Sequence, residues 1–575
     1  MTIASALLAA APAAGGERTV KIAATSDVHG NYFPYNFISM EPGDGSLARV
    51  ATRVRQLRDS LGRDNVILLD NGDILQGQPT AYYYNFIRTD VPHLTSRMLN
   101  FMGYDAETIG NHDVETGHAV YDRYRSELGS LPLLGANVID KATGKPYLQP
   151  YAVIDRDGLK VVVLGLLTPA IPAWLPENIW EGLEFEDMVE SARKWVPYIL
   201  ENEKPDLLVG LFHSGRDSEK MTGDWRENAS LLVAEEVPGF DVIFMGHDHR
   251  LFNSSTISPS ASSPLVLNPA NNAAFLAEAE VTFTLDSDGK VIDKKISGNL
   301  TPLRALEADS AFMAEFEPER KEILEFVSRK IGTSTGDFSV RDAYFGPSAF
   351  MELLHDLQLE ISGAEISFAA PLSFDALIKR GDLHMSDMFT LYKYENMLYT
   401  MAMTGREIKD YLEMSYSLWT DRMDSSDDNL LLFADAEKGG AKGDYAKLKN
   451  PSYNFDSAAG IVYTVDVTKP RGEKINIVSM ADGTPFDFGK TYKVAVNSYR
   501  GNGGGDLLTK GAGIPHDELK SRILKATDKD LRYYLIKELE KRATISPTVT
   551  SNWKFVPEEM VKDAIVRDRK TLFGD

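Results

Sequence analysis

The chain has 575 residues, 43% hydrophobic and 25% charged, with a formal net charge of -23 at pH 7 and no cysteine. That length exceeds one ordinary core and predicts two domains, and the composition excludes a disordered or fibrous chain. The acidity excludes a general binder of polymeric nucleic acid, and the missing cysteines exclude disulfides, thiolate metal ligands and a cysteine nucleophile.

In chain order, residues 3–14 form a short, alanine-rich apolar stretch that ends in small residues, Ala10-Ala11-Pro12-Ala13-Ala14-Gly15-Gly16. This resembles the apolar core and cleavage end of a secretory signal, so the protein is expected to be exported, periplasmic or at a bacterial cell surface. No Lys or Arg precedes Arg18, which leaves a disordered tail as the alternative for residues 1–17. No later run approaches the roughly 20 apolar residues of a membrane-spanning helix.

Residues 18–304 read as a first, α/β domain. Five apolar runs predict buried strands, and each is followed by side chains able to bind metal. Residues 20–24 lead to Asp27-Val28-His29, and residues 66–69 to Gly72-Asp73. Residues 106–109 lead to Gly110-Asn111-His112-Asp113, residues 207–212 to His213, and residues 242–245 to Gly246-His247-Asp248-His249. Strand, sharp turn and polar ligand, repeated in this way, is how an α/β sandwich builds a metal site at the carboxyl ends of its strands. Helical spacing marks residues 46–61 and 188–202. A hairpin around Asp286-Ser287-Asp288-Gly289 closes the domain.

The ligand set is chemically coherent. Asp27 and His29 are two residues apart, as are His247 and His249. Asp73 supplies a carboxylate able to bridge two cations, Asn111 a neutral carbonyl oxygen, and His213 another imidazole. Oxygen and nitrogen ligands without sulfur suit two divalent ions such as Zn, Mn, Fe or Co. Two carboxylates facing two dications leave the site electropositive, which favours a phosphate. His93, His118, His355, His384 and His516 lack such a context and read as surface or core residues.

The series of motifs is similar to the signature of the calcineurin-like metallophosphoesterases. The resemblance implies that Asp27, His29 and His249 hold one ion, that Asn111, His213 and His247 hold the other, and that Asp73 bridges them. It further implies that His112 stabilises the transition state with Asn111 and protonates the leaving oxygen after direct attack by metal hydroxide, with no phosphoenzyme. Glu115 stands where relatives place the carboxylate that orients this histidine, although Asp or Asn is more usual there.

Residues 305–335 are charged and helix-prone and predict a solvent-exposed linking helix. Residues 336–545 read as a second, α+β domain, residues 421–450 as a polar surface excursion, and residues 546–575 as a peripheral tail. Three stretches of the second domain resemble the C-terminal, substrate-binding domain of the 5′-nucleotidase family: Phe389-Thr390-Leu391-Tyr392-Lys393-Tyr394-Glu395-Asn396, Thr404-Gly405-Arg406-Glu407-Ile408, and Val496-Asn497-Ser498-Tyr499-Arg500 with the glycine run and Asp506. With the first-domain motifs, the resemblance spans residues 20–513. It implies a nucleotide substrate whose base stacks between Tyr394 and Tyr499, with Asn396 and Asp506 as polar contacts to base or ribose, and a rotation of the domains about the linking segment; a monomer is expected.

Two departures narrow the substrate. The stretch from Phe368 to Phe374 lacks the arginine usual in 5′-nucleotidases, and the last ligand is His249 rather than glutamine. Both point to the 2′,3′-cyclic-nucleotide 2′-phosphodiesterase/3′-nucleotidase branch. A 5′-nucleotidase or UDP-sugar hydrolase is the alternative, and a non-catalytic nucleotide-binding surface protein a second one.

Overall fold

The computed structural model describes residues 14–219, 221–256, 263–434 and 447–574. Two six-stranded sheets face each other in the first domain. One runs in the order Val291–Pro302, Phe275–Asp286, Ala14–Thr25, Val66–Asp70, Ala106–Thr108, Leu133–Leu134. The other runs Leu251–Asn253, Leu265–Pro269, Val242–Met245, Leu207–His213, Leu159–Leu167, Tyr151–Arg156. Alternation along the strands explains the layering. Val20, Ile22 and Ala24 point between the sheets, where they meet Val161, Val163, Val209 and Phe244, whereas Ala23 packs outward. Val162 and Leu164 likewise face the helix Met188–Asn202 on the outer side. Strands buried on both faces become continuous apolar runs, which is why they were legible in the sequence.

The central strands of each sheet are parallel, so their carboxyl ends collect along one edge. Local signals set the helices between them. Ser46 caps Leu47–Leu61 by accepting from the Arg49 N–H at 3.2 Å. The predicted closing hairpin is present, with Phe275–Asp286 and Val291–Pro302 pairing antiparallel.

The linking segment departs from expectation. It forms two helices, Ser310–Glu315 and Glu317–Ser328, and it is not solvent-exposed throughout. Phe312, Phe316, Ile323 and Val327 are buried in the helical layer of the first domain. The charged residues form the outer face, and they dominated the sequence pattern.

The second domain starts with Lys330–Ser334, a few residues before the expected boundary. Its main sheet has the order Ser457–Ala459, Ile366–Ala369, Thr491–Asn497, Leu398–Thr404, Ile523–Ala526. Helix Ala349–Ser362 packs on this sheet, capped by Ser348. Gly405–Trp419 begins at a capping box made by Thr404 and Glu407.

Two other expectations are corrected. Residues 546–575 are not a peripheral tail. Trp553–Val556 pairs parallel with Ile461–Asp466, and Glu558–Phe573 buries Val561, Ala564 and Leu572 in the core of this domain. Residues 421–450 are not a simple surface excursion, because Met423, Leu430, Leu431 and Leu448 are buried there. Residues 435–446 of that segment lie outside the described residues. So do residues 1–13 of the signal-like stretch, while Ala14–Glu17 already belong to the first strand.

Candidate dinuclear metal centre and substrate cleft

The predicted ligands sit at strand ends or just beyond them: His213 closes the strand Leu207–His213, Asn111 opens the short helix Asn111–Glu115, and the other five lie on tight turns. Asp27, His29, Asp73, His247 and His249 all adopt positive φ, between 50° and 67°. Such backbone costs of order 1–3 kcal/mol per residue and persists only where the surroundings enforce it. Glycines make the approach possible. A Cβ on Gly110 would stand 2.2 Å from Asp73 Oδ1, and one on Gly246 would stand 2.1 Å from Ser26 Oγ. Asp113 fastens the turns together, its carboxylate accepting from the N–H groups of Asp73, Ile74, Leu75 and Gly110 at 2.7–2.9 Å.

The ligand atoms form two groups. Asp27, His29 and His249 offer atoms within 4.8 Å of one another, and so do Asp73, His213 and His247. Asn111 joins the second group, its Oδ1 lying 3.1 Å from His213 Nε2 and 2.8 Å from His247 Nδ1. The groups adjoin, because Asp27 Oδ1 is 4.0 Å from His213 Nε2. Asp27, His29 and His249 thus lie apart from His213 and His247, and Asp73, expected between two ions, falls in the second group.

These donors fit cations. His29 Nδ1 is committed to the Gln76 carbonyl at 3.1 Å, and His213 Nδ1 to the Asn71 carbonyl at 2.6 Å. Their Nε2 lone pairs therefore face into the site. There His29 Nε2 meets His249 Nε2 at 3.1 Å, and Asp73 Oδ2, buried and without a hydrogen bond, lies 3.1 Å from His213 Nε2. Acceptors converge on acceptors at about 3 Å, the spacing expected between ligands whose bonds to one ion are about 2.0–2.2 Å.

Electrostatics tells the same story. Burial and then His249 push His29 down to about 3, keeping the neutral form that binds metal, and burial lowers His247 also. Burial opposes charge on His213, but Asp73 and Asp27 outweigh it and push the imidazole up to about 10. Two buried carboxylates demand positive charge, which protons supply when cations do not.

His112 is not among the ligands. Its N–H donates to Asp73 Oδ1 at 2.7 Å, and its Nδ1 lies 2.5 Å from Glu115 Oε2. Burial disfavours its charge, yet Asp73 and Glu115 push it up to about 9.

Beside the metal groups lies a cleft of about 220 Å³ shared by the two domains. From the first domain come Asn111, His112, Glu115 and His247. From the second come Tyr394, Asn396 and Tyr499, which the sequence singled out. Asp506 is not among the lining residues, and its carboxylate pairs with Lys510 at 2.9 Å. The lining also holds residues that the sequence did not flag: Trp174, Glu227, Tyr453 and Asn497. Asn497 belongs to the same motif as Tyr499 and was within reach. Trp174 and Glu227 sit on loops and Tyr453 on the short 3-10 turn Ser452–Asn454, all without a local pattern.

Residues 20–251 match the calcineurin-like phosphoesterase family, and residues 330–510 match the 5′-nucleotidase C-terminal domain. Across 94% of its length the chain is 28% identical to the trifunctional nucleotide phosphoesterase protein YfkN of Bacillus subtilis, spanning 39% of that protein. It is 26% identical to the 2′,3′-cyclic-nucleotide 2′-phosphodiesterase/3′-nucleotidase of Haemophilus influenzae, over 94% of this chain and 87% of that one. The fold matches the crystal structure of a 5′-nucleotidase precursor from Thermus thermophilus with a TM-score of 0.61 at 22% identity, covering 94% of this chain and 100% of that one.

Proposed function

We propose that this chain, which belongs to the 5′-nucleotidase family and carries both its metallophosphoesterase and its C-terminal domain, hydrolyses 2′,3′-cyclic nucleotides and 3′-nucleotides. It is a nucleotide phosphoesterase, and its substrate within that class is the proposed part. One observation carries the choice: among the described residues lining the cleft, none is Arg or Lys. A doubly charged phosphate monoester, 5′ or 3′, would gain from such a cation, so this observation favours the cyclic phosphodiester, and the preference for 3′- over 5′-nucleotides rests on the relatives named below. The single negative charge of a cyclic phosphodiester needs none beyond the metal centre. The relatives named as cyclic phosphodiesterases, similar over nearly the whole chain, support the same reading.

Asp27, His29 and His249 would hold one divalent cation, and Asp73, Asn111, His213 and His247 the other. When bound, the cations supply Lewis acidity to a phosphoryl oxygen and lower the pKa of a water. The remaining work falls to side chains of this chain. Tyr394 and Tyr499 present aromatic faces on which any nucleobase can stack, for about 1–3 kcal/mol per base. Asn396 offers polar contacts to base or ribose. His112, held through Nδ1 by Glu115, turns Nε2 toward the cleft to stabilise developing charge and protonate the leaving oxygen. Direct attack by water, with no covalent phosphoenzyme, is part of this proposal. The products of successive steps on a cyclic substrate are a 3′-nucleotide, then nucleoside and phosphate.

The test is hydrolysis of adenosine 2′,3′-cyclic monophosphate, 3′-AMP and 5′-AMP side by side, followed chromatographically, with Mn²⁺ or Zn²⁺ and with chelator. Chelator-sensitive turnover of the first two supports the proposal. Turnover of 5′-AMP alone moves the protein to the 5′-nucleotidases.

A further inference from the structure

Three of the histidines facing the metal centre are fixed through their second ring nitrogen, and they are fixed differently. His29 and His213 use Nδ1 on backbone carbonyls, so Nε2 faces the site. His247 is turned the other way. Its Nδ1 faces Asn111 Oδ1 at 2.8 Å, and its Nε2 lies 3.2 Å from Glu227 Oε1. It is the one ring of the three whose tautomer depends on a side-chain carboxylate.

Glu227 is itself well anchored. Its Oε2 accepts from Thr222 Oγ1 at 2.5 Å, on the short hairpin Met221–Thr222 and Trp225–Arg226. Its carbonyl accepts from Thr168 Oγ1 at 2.7 Å and Ser214 Oγ at 3.1 Å, beside His213. The residue is 5% exposed, although its side chain reaches the cleft wall. Trp174 packs on the His247 ring with centroids 5.6 Å apart at 30°. Without a partner at Nε2, the imidazole would be free to exchange tautomers, and only one tautomer leaves the Nδ1 lone pair for a cation.

We propose that Glu227 is a positioning residue for the second metal: by accepting the Nε2–H of His247 it fixes the tautomer that presents Nδ1 beside Asn111, Asp73 and His213. The inference rests on the two-metal reading of the site. Carboxylate partners of ligating histidines are worth about 10–100-fold in metal affinity.

The experiment is calorimetric titration of metal-stripped, full-length protein with Mn²⁺, with ion content counted by mass spectrometry. Wild type taking up fewer than two ions removes the metal reading itself. With two ions bound by wild type, Glu227→Ala is expected to weaken one site by about 10–100-fold and leave the other unchanged. Glu227→Gln keeps an acceptor of the same length and is expected to recover part of that loss. Should Glu227→Ala not fold, Glu227→Gln decides alone, because a neutral amide is a weaker acceptor and should still weaken one site more than twofold. Both sites staying within twofold of wild type in every folded variant overturns the proposal. Equal weakening of both sites overturns it as well, since that marks a general structural role.

Discussion

At the residue scale, the chemistry divides between groups that hold charge in place and groups that act on substrate. The proposed mechanism puts His112 in the second set. It touches Asp73 only through its backbone N–H, and its ring is held by Glu115. His112→Ala should therefore lower kcat by about 10²–10⁴ while bound metal, counted by mass spectrometry, stays at the wild-type level. Loss of metal with the activity would instead make His112 a structural support of the site. Glu115→Gln should cost less, because the ring remains and only its orientation and charge are weakened. Tyr499 is tested differently. Its aromatic face should act on binding, so Tyr499→Ala should raise KM by the equivalent of about 1–3 kcal/mol, and Tyr499→Phe should be nearly silent. An unchanged KM in the alanine variant would remove Tyr499 from the base site. The two ligand-type groups were legible because their residues stand at the ends of five strands and the chemistry repeats. Trp174, Glu227 and Tyr453 were not, because a loop residue acquires its partner only when distant segments meet. Asp506 follows the glycine run, and its carboxylate pairs with Lys510 four residues on.

At the scale of elements, the helices and strands of the second domain follow their sequence signals closely, down to the Ser348 and Thr404 caps. The last thirty residues did not, although Val561, Ala564 and Leu572 have helical spacing and Trp553 and Phe555 alternate. Their strand pairs with one ninety positions earlier, and no local pattern reports that partner. Long-range pairing also shapes pH dependence. His355, on helix Ala349–Ser362, is buried between Ser367 Oγ at 3.0 Å and Ser457 Oγ at 3.1 Å, one on each of two neighbouring strands. Burial pushes its imidazole down to about 3. In the unfolded chain it titrates near 6.5. Above that pH both states are neutral and stability is unaffected. As pH falls from 6.5 toward 3, the unfolded chain takes up a proton that the fold refuses, so stability declines by about 1.4 kcal/mol per pH unit. Urea melts of the second-domain transition at pH 6.5 and pH 5 should differ by about 2 kcal/mol more in wild type than in His355→Gln. Equal differences would show that His355 is not the group being protonated.

At the scale of the whole molecule, the site works only if the domains hold a defined relation, and the contacts between them are unequal. On one side, Tyr82 of the first domain is 3% exposed and packs among second-domain residues. Its ring meets Phe389 edge-on at 5.3 Å, and the Arg532 guanidinium lies 4.9 Å from its centroid. Arg532 in turn pairs with Glu395 at 3.0 Å and donates to the carbonyls of Tyr392 and Lys393, the segment that carries Tyr394 and Asn396. A buried aromatic and cationic joint thus connects the first domain to the second-domain segment that lines the cleft. On the other side, Glu177 and Lys520 form an exposed ion pair across the domains, of the kind worth 0–1 kcal/mol and screened by salt. The linking helices bury Phe312, Phe316, Ile323 and Val327 against the first domain, while Glu317–Ser328 also meets helix Met385–Leu391 of the second, so a rotation about Arg329, where helix gives way to Lys330–Ser334, would have to slide that contact. The weak edge should open and the buried joint should act as pivot. Because the chain has no cysteine, the pair Glu177→Cys and Lys520→Cys can be bridged selectively by a short thiol-reactive cross-linker with a cleavable centre. Turnover should fall at least tenfold on bridging, about 1.4 kcal/mol of barrier, and return when the bridge is cut. Full turnover in the bridged protein would mean that substrate enters and product leaves with this edge closed, and that the uneven contacts between the domains serve only to hold them together.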